Sequence, residues 1–462
     1  MSDSSSSANL PRVLGASQAT AVVVGVIIGS GIFLVPQEMM LAAGRSSLVY
    51  LAWIVGGLLS LFGAMIYAEL GAMRPYAGGE YIYLRDAYGD LTAFFYMWTL
   101  FCIAKPASIA TGTIGLTRIL GTYSSFHWLN TTAIQWPWTI EWSQLFAIVV
   151  AWLVTGLNYL GVRRAGEFQL IFTWLKVLLI VAIVVFCFAS PVGHRLNYST
   201  FFPVAHSALT GFMIALVAAL WAYDGWNNLN MVAGEIHQPE RNVPIALTFG
   251  VGLVALLYIA TNAAIQYVLP AAAIAGTGRP ATAAMRLVAG GWGADLVSAG
   301  MAISIVAALN GTILSGARVP FAAAKDKLFF RSLARIHPRF QSPSTSLIVQ
   351  AWMSTLLLLF IGKFQQLFEL ALFAEWLFYM LTATTLFVFR RREPDARRPY
   401  RTPGYPVLPA FFVLAAAVVL VYTFGNNLRN SLVGACVILA GFPLYLWLRR
   451  RNSDTTGPAE PL

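Results

Sequence analysis

Hydrophobic runs of about 20 residues, each long enough to cross a bilayer as a helix, recur along almost the whole chain. The 462 residues are 58% hydrophobic and 11% charged, which is far more apolar than a soluble protein of this length. The sequence therefore predicts an all-α integral membrane protein with about twelve transmembrane helices. The runs begin near Ala16, Leu48, Leu91, Trp142, Phe168, Ala208, Pro244, Gly291, Leu347, Leu367, Leu408 and Ser431.

The loops between these runs differ in charge. Basic clusters at 331–339, 390–401 and 449–451 fall on one side of the membrane if the helices alternate, and the opposite loops carry few Lys and Arg. The positive-inside rule then places both termini in the cytoplasm. Basic loops face anionic lipid headgroups, so the net charge of +11 needs no nucleic-acid partner.

Two of the predicted helices contain small or polar residues in the middle of the run, at 29–31 and at 223–225. Unwound backbone at this depth leaves N–H and C=O groups unpaired, at a cost of several kcal/mol each, unless the break lines a cavity. Each interrupted helix opens a set of five, so the two sets have opposite orientations. This pattern predicts the 5+5 inverted repeat of secondary transporters, with helices 1 and 6 broken.

The expected organisation is one transporter domain with short loops and no soluble domain. Its parts are a cytoplasmic N-terminal tail, two repeats, two further helices and a disordered C-terminal tail. In that order they cover 1–15, then 16–190, 208–391 and 407–451 within the domain 16–451, and finally 452–462.

The first break frees backbone amides at Ser30, Gly31 and Ile32, where a half-helix begins. Such a helix end carries a partial positive charge that suits a substrate carboxylate, while carbonyls freed near Ile27 suit an ammonium group. An amino acid carries both charges. In the alternative interpretation, the two glycines four residues apart in this segment only form a close helix-packing face.

The second break brings aromatic, acidic and amide side chains into an otherwise apolar helix, namely Trp221, Asp224 and Asn227. Asp224 is the only acidic residue that we expect deep in the bilayer, where an ionised carboxylate must be paired, protonated or hydrated. Either Asp224 contacts substrate directly, or it caps the second half-helix by accepting a backbone hydrogen bond. One residue can also do both.

Lys176 lies about eight residues into the fifth predicted helix, roughly 12 Å from its start. Snorkelling to the interface would stretch the side chain, so we expect a buried ammonium group that needs acceptors. The unwound first helix, together with Thr312 or Ser315 of the eighth helix, could supply them, and the ammonium would then take the place of a sodium ion. Lys105 in the third helix is a weaker case of the same kind.

Neither a cofactor nor a metal is expected. The three cysteines, Cys102, Cys187 and Cys436, all lie inside hydrophobic runs, and the sequence contains no phosphate-binding loop, metal cluster or nucleophile constellation. The sequence therefore does not indicate an enzyme.

The motifs together identify the chain as similar to the amino acid, polyamine and organocation transporter superfamily, nearest its L-type branch, which includes the light subunits of heteromeric transporters. The resemblance spans nearly the whole chain and implies the leucine-transporter fold. The motifs are GSGIF at 29–33, YAELGAMRPYAGGEYIYLRDAYG at 67–89, KPAS at 105–108, FTWLK at 172–176, WAYDGWNNLN at 221–230, GEIHQPERNVP at 234–244, NGTILSGAR at 310–318 and IHP at 336–338.

The resemblance also implies roles for single residues. Ser30 and Gly31 resemble carboxylate contacts, Ile27 and Trp221 resemble the carbonyls that hold the amino group, and the Trp221 ring resembles a lid over the substrate. Asp224 stands where transporters of large neutral amino acids have glycine. The motif WAYDGWN resembles the corresponding motif of the light subunit that carries cystine and dibasic amino acids. Lys176 matches the family lysine that stands in for sodium.

The function that the resemblance implies is sodium-independent exchange of neutral and possibly cationic amino acids by alternating access. A proton-coupled amino acid symporter is the first alternative, and a non-transporting amino acid sensor is the second. Animal light subunits carry a cysteine between helices 3 and 4 that binds a heavy chain, and the segment 123–141 has none. The expected partners are thus amino acid substrates and membrane lipid, without a disulfide-linked heavy subunit, and the expected location is the cytoplasmic membrane.

Overall fold

Helices dominate the architecture. The computed structural model describes residues 10–135, 139–205, 207–360, 364–426 and 428–454. A two-stranded antiparallel hairpin, β1 Thr132–Ile134 with β2 Ile140–Glu141, lies in one connection. The helices are α1 Ala16–Ile27, α2 Gly31–Ala43, α3 Ser46–Met73, α4 Glu80–Tyr88, α5 Asp90–Thr99, α6 Lys105–Leu120, α7 Trp142–Tyr159, α8 Val162–Ala189, α9 Ala208–Ala222, α10 Asn228–Met231, α11 Pro239–Val268, α12 Ala271–Ala275, α13 Pro280–Gly316, α14 Arg318–Lys325, α15 Ser344–Phe360, α16 Phe364–Arg392, α17 Val407–Asn426 and α18 Leu428–Asp454.

Eight helical segments of the described chain are long and apolar enough to cross a membrane. Two shorter apolar helices, α9 and α15, accompany them, and the count of about twelve spans remains a prediction. The eight segments are Ala16–Ala43, Ser46–Met73, Asp90–Leu120, Trp142–Tyr159, Val162–Ala189, Pro239–Val268, Pro280–Lys325 and Val407–Gly425.

The outer surface of the helices is apolar. On α8, Trp174 and Leu178 are 67% and 66% exposed, and Leu153 on α7 is 68% exposed. Water would disfavour so much exposed apolar surface, whereas lipid tails match it, and the helical backbone satisfies its own hydrogen bonds. The protein is therefore a multi-pass membrane protein.

The two interrupted helices lie together at the centre. The first consists of α1 and α2, which are separated by residues 28–30, and the second consists of α9 and α10, which are separated by residues 223–227. Helix α1 packs against α8, α11 and α13, and α2 packs against α9. A Cβ atom added to Gly31 would lie 3.0 Å from Ala222 Cα, so the backbones meet at the breaks and require glycine there.

The first described residues bind the segment that follows α10. The amides of Val13 and Leu14 both donate to the Glu235 carbonyl at 2.9 Å. The Glu235 carboxylate in turn accepts from Arg318 Nε at 2.8 Å, and both of these side chains are fully buried. Residues 10–15 of the expected N-terminal tail are therefore tied to the helical core, while residues 1–9 lie outside the described residues.

The C-terminal boundary differs from the prediction of a disordered tail from residue 452. Helix α18 continues to Asp454, because the first tail residues extend the helix by another turn. The remaining tail, residues 455–462, lies outside the described residues.

We predict that Arg318→Ala lowers the thermal unfolding midpoint of the purified protein in detergent. Removing the guanidinium leaves the Glu235 carboxylate buried and unpaired, which costs about 3–5 kcal/mol. The control is Arg163→Ala, because Arg163 is 81% exposed and pairs with Glu167 on the surface of α8. Surface pairs contribute about 0–1 kcal/mol, so equal midpoints for the two variants would contradict the prediction.

Candidate functional site

Both helix breaks line one cavity of about 110 Å³. One water needs about 10–15 Å³ by this measure, so the cavity has room for a solute of roughly ten non-hydrogen atoms. Its wall consists of Val26, Ile27, Gly29, Ser30, Gly31, Lys105, Ser108, Thr111, Gly112, Trp221, Ala222, Asp224, Gly225, Asn228, Ile305, Ala308, Leu309 and Thr312.

At the first break, the chain leaves the helix at Ile28, whose φ and ψ are −73° and 84°. Helix α2 then starts at Gly31, with Ser30 before it. In the described part of the chain, the amides of Ser30, Gly31 and Ile32 donate no backbone hydrogen bond. A helix start with free amides attracts an anion, and Ser30 and Gly31 line the cavity.

The Ile27 carbonyl, which the sequence led us to expect beside a substrate ammonium group, accepts hydrogen bonds from the protein itself. The Ile27 carbonyl accepts from the Gly29 amide at 2.8 Å and from the Tyr258 hydroxyl at 2.9 Å. A carbonyl oxygen has two lone pairs, so the Ile27 carbonyl has none left for a substrate ammonium whenever Tyr258 donates its one proton to it. The Tyr258 hydroxyl also lies 3.1 Å from the Ala222 carbonyl and thus bridges the two breaks.

The second break turns sharply at Gly225, whose φ is 107°. A Cβ atom there would lie 2.5 Å from Val26 Cγ1, so both the backbone conformation and the close approach of α1 require glycine. The turn places Trp221, Asp224 and Asn228 in the cavity wall. The Trp221 ring is also close to Gly31, at 3.6 Å from the position that a Cβ would take.

Asn228 connects the second break to two other helices. Its Nδ2 donates to the Gly225 carbonyl at 2.8 Å, and its Oδ1 accepts from Lys105 Nζ of α6 at 3.0 Å and from the Ser315 hydroxyl of α13. A π-helical segment, Leu100–Ala104, precedes Lys105 and interrupts the α-helical register at this point. Lys105 thereby reaches the cavity although it is only 2% exposed.

Lys176 lies in the interior rather than at an interface, with 1% of its surface exposed. Its Nζ donates to the carbonyls of Gly25 at 2.8 Å, Ile28 at 2.7 Å and Ser304 at 3.0 Å. An ammonium group has three donors, so all of them are used. Ser304 also donates its hydroxyl to the Ile28 carbonyl at 2.9 Å, so α8 and α13 together hold the end of α1.

The acceptor on α13 is Ser304, where the sequence suggested Thr312 or Ser315. Those two residues lie further along α13, where Thr312 lines the cavity and Ser315 binds Asn228. Lys176 of α8 meets α13 at the level of Ser304 and does not reach them.

Asp224 is half-buried in the cavity wall, and its Oδ1 accepts from the Tyr379 hydroxyl at 2.7 Å. The residue preceding α10 is Asn227, which makes no side-chain cap, and no described hydrogen bond makes Asp224 a cap either. The carboxylate is therefore positioned towards the cavity by α16.

Two of the sequence-predicted binding residues lie outside the cavity wall. Ile32 is fully buried in the core, because α2 turns it away from the cavity. Asn227 lies behind Asn228, from whose Nδ2 it accepts a hydrogen bond at 3.3 Å, and it donates to Glu80 Oε1 at 2.7 Å. The other five, Ile27, Ser30, Gly31, Trp221 and Asp224, line the cavity.

Asp224 is not the only deeply placed acidic residue. Glu80 is fully buried at the start of α4, and Glu375 on α16 is 6% exposed. An acidic residue inside the apolar run of α16 was a visible signal in the sequence, whereas Glu80 follows two glycines in a loop-like segment and gave none. In the described chain, no group of three or more His, Cys, Asp or Glu side chains is arranged to hold a metal ion.

The fold and the cavity define a multi-pass membrane protein with a small polar site between two interrupted helices. A family model described as amino acid permease matches residues 14–442. The chain therefore belongs to the amino acid permease family, within the amino acid, polyamine and organocation transporter superfamily, as the sequence motifs predicted.

Individual relatives are similar over nearly the full chain. The serine/threonine exchanger SteT of Bacillus subtilis (strain 168) is 30% identical, covering 96% of this chain and 98% of its own. The b(0,+)-type amino acid transporter 1 of Homo sapiens is 30% identical, covering 95% and 88%. The cystine/glutamate transporter of Homo sapiens is 28% identical, covering 94% and 85%. The chain is therefore an amino acid transporter of the amino acid permease family, and it is similar to transporters of the L-type branch.

We predict that Gly225→Ala lowers the thermal midpoint and the yield of folded protein in detergent. A residue with a Cβ is strained at this φ by about 1–2 kcal/mol and must also displace Val26. Gly252→Ala on α11 is the control, because no atom lies within 4 Å of the added Cβ. That variant should match or exceed the wild-type midpoint, and a Gly225→Ala midpoint equal to it would show that the turn tolerates a side chain.

Proposed function

We propose that the protein exchanges amino acids across the cytoplasmic membrane by alternating access, without sodium. The observation that carries the proposal is the cavity at the two breaks, where free amides, an aspartate and a lysine meet in a space of about 110 Å³. The chemistry of this wall matches a small zwitterion. Neutral amino acids are the main substrates, and Asp224 also favours a cationic side chain.

The substrate carboxylate binds the amides of Ser30 and Gly31, since these line the cavity, donate no backbone hydrogen bond in the described chain and lie at the positive end of α2. In this conformation the Trp221 carbonyl at the opposite break accepts from the Tyr223 and Asp224 amides, so the substrate ammonium reaches it only when this turn opens. The carbonyl of Ile27 takes part only when Tyr258 releases it, which links amino-group binding to a change of conformation.

Lys176 acts as a fixed cation in place of sodium. Its three carbonyl acceptors, of which two come from the end of α1, form the kind of oxygen-rich site that a cation prefers. Because the charge is covalently attached, it needs no ion from solution. This arrangement supports sodium-independent transport.

Alternating access requires one half of the molecule to move against the other around the cavity. The two breaks are placed in the first helix of each proposed five-helix repeat, and both termini are proposed to be cytoplasmic. Contacts that cross between the halves, such as Lys176 with the Ser304 carbonyl and Tyr258 with the Ile27 carbonyl, are the ones that change during the cycle. The segment 123–141 contains no cysteine, so we propose that the protein works without a disulfide-linked heavy subunit.

Reconstituted vesicles test exchange directly. Uptake of labelled serine should be many-fold faster into vesicles preloaded with serine than into empty ones, and replacing sodium by choline should leave the rate unchanged. Equal uptake into empty vesicles under a proton gradient would contradict exchange and support a proton-coupled symporter. A requirement for sodium would contradict the role of Lys176.

We predict that Lys176→Ala slows exchange at least tenfold while changing equilibrium binding of the substrate by less than about threefold, since Lys176 does not line the cavity. The lost ammonium frees the end of α1, which must return in each cycle. Trp174→Ala is the control, because Trp174 is 67% exposed on the same helix. Unchanged exchange by a folded Lys176→Ala protein would refute this role.

A further inference from the structure

Behind the substrate cavity, four charged side chains from four parts of the chain meet in the protein interior. They are Glu80 at the start of α4, Lys105 of α6, Asp224 of the second break and Glu375 of α16. Glu80, Lys105 and Glu375 are 0%, 2% and 6% exposed. Three carboxyl groups thus face a single ammonium group.

The three carboxyl groups differ in how well they are satisfied. Glu80 accepts from the Tyr96 hydroxyl at 2.6 Å and from Asn227 at 2.7 Å. Asp224 accepts from Tyr379 at 2.7 Å. Glu375 has the weakest set of partners.

The Glu375 Oε1 atom lies 3.5 Å from Lys105 Nζ, and it makes no hydrogen bond with the described residues. It borders a second cavity of only about 10 Å³, which holds at most one water. An ionised Glu375 would therefore be poorly solvated. The groups that face its carboxyl are Asp224, Lys105, Glu80, Tyr96 and Tyr379, while Tyr67 of α3 faces Glu80.

Glu375 lies one turn before Tyr379 on α16, and Tyr379 donates to Asp224, so the carboxyl groups of Glu375 and Asp224 are neighbours. Two neighbouring carboxylates repel each other strongly away from water, whereas a carboxyl and a carboxylate that share one proton form a strong hydrogen bond. Lys105 can balance one negative charge, and its Nζ is also engaged by Asn228. The pair therefore holds one proton as long as no other cation is near.

The substrate cavity supplies such a cation when the substrate is basic. Asp224 lines this cavity, and Glu375 lies directly behind it in the smaller one. An ammonium or guanidinium group of a substrate side chain beside Asp224 reduces the repulsion between the two carboxylates, as the shared proton does. The two positive charges compete for one pair of carboxylates.

We propose that Asp224 and Glu375 share one proton when the transported amino acid is neutral, and that a cationic side chain bound beside Asp224 expels this proton to the water on the open side. The proposal rests on the proposed exchange function and adds Glu375 as the residue that sets its charge balance. Only an O–H bond breaks, and the proton passes to water. A loaded carrier then has the same charge with either class of substrate.

Exchange of external lysine for internal serine consequently carries one proton outwards for each lysine that enters. The lysine brings in one positive charge and the proton removes one, so the cycle is electroneutral. Exchange of serine for serine moves no proton, since the pair stays protonated throughout.

The test uses the full-length protein in vesicles loaded with serine and a pH-sensitive dye, with labelled lysine outside. We expect the lumen to become alkaline by about one proton per lysine, and the rate to be independent of an imposed membrane potential. Serine outside gives the baseline without a pH change. In Glu375→Gln, the number of protons exported per lysine should fall towards zero, and the rate of lysine uptake should depend on the membrane potential.

Glu80→Gln is the matched control, because Glu80 already accepts hydrogen bonds from two donors and does not face Asp224 directly. The number of protons exported per lysine should therefore stay near one in this variant. Since each ratio is counted per lysine transported, a lower amount of folded variant does not change it. If neither variant folds, the wild-type response to the membrane potential still decides the question.

Lysine-for-serine exchange without a pH change in the wild type would overturn the proposal, as would a ratio unaffected by Glu375→Gln. A lumen that becomes acidic would overturn it in favour of proton symport. Serine exchange without any lysine or arginine exchange also overturns it but leaves the proposed function intact. Absence of serine exchange would instead count against the proposed function.

Discussion

The ammonium group of Lys176 holds the end of the broken first helix inside the membrane by binding backbone carbonyls that the break leaves exposed. Helix α1 ends there with carbonyls that no helical turn satisfies, and unpaired carbonyls cost several kcal/mol each in an apolar interior. Lys176 binds two of these carbonyls together with that of Ser304 on α13. This one buried cation therefore stabilises the end of α1, while the free amides on the cavity side belong to the start of α2.

A backbone contact and a shared tyrosine hydroxyl connect the two breaks. Gly31 allows the backbones to touch at Ala222, and the Tyr258 hydroxyl reaches a carbonyl of each break. A conformational change at one break must therefore change hydrogen bonds at the other. In an exchanger, this connection would let substrate binding at the cavity decide when the two halves move, whereas Glu375 adjusts the charge behind it.

Sequence patterns predicted both breaks, because a cluster of glycine, serine or aspartate inside an apolar run weakens a membrane helix at the depth where transporters bind their substrates. These patterns could not show which of two adjacent asparagine side chains faces the cavity. Gly225 adopts a positive φ, so the helical period no longer gives the direction of the side chains that follow, and Asn228 rather than Asn227 reaches the cavity. Likewise, Ser304 and Thr312 share a face of α13 about 12 Å apart, and only tertiary packing decides which of them Lys176 meets.

The two breaks are proposed to hold together the carboxylate and the ammonium group of one amino acid. A calorimetric titration of the purified protein in detergent tests this with three ligands: serine, serine amide, which lacks the carboxylate, and glycerate, which lacks the ammonium group. Serine should bind at least about 100-fold more tightly than either analogue, because each analogue leaves buried polar groups of the site unpaired. Binding of either analogue with the affinity of serine would contradict it.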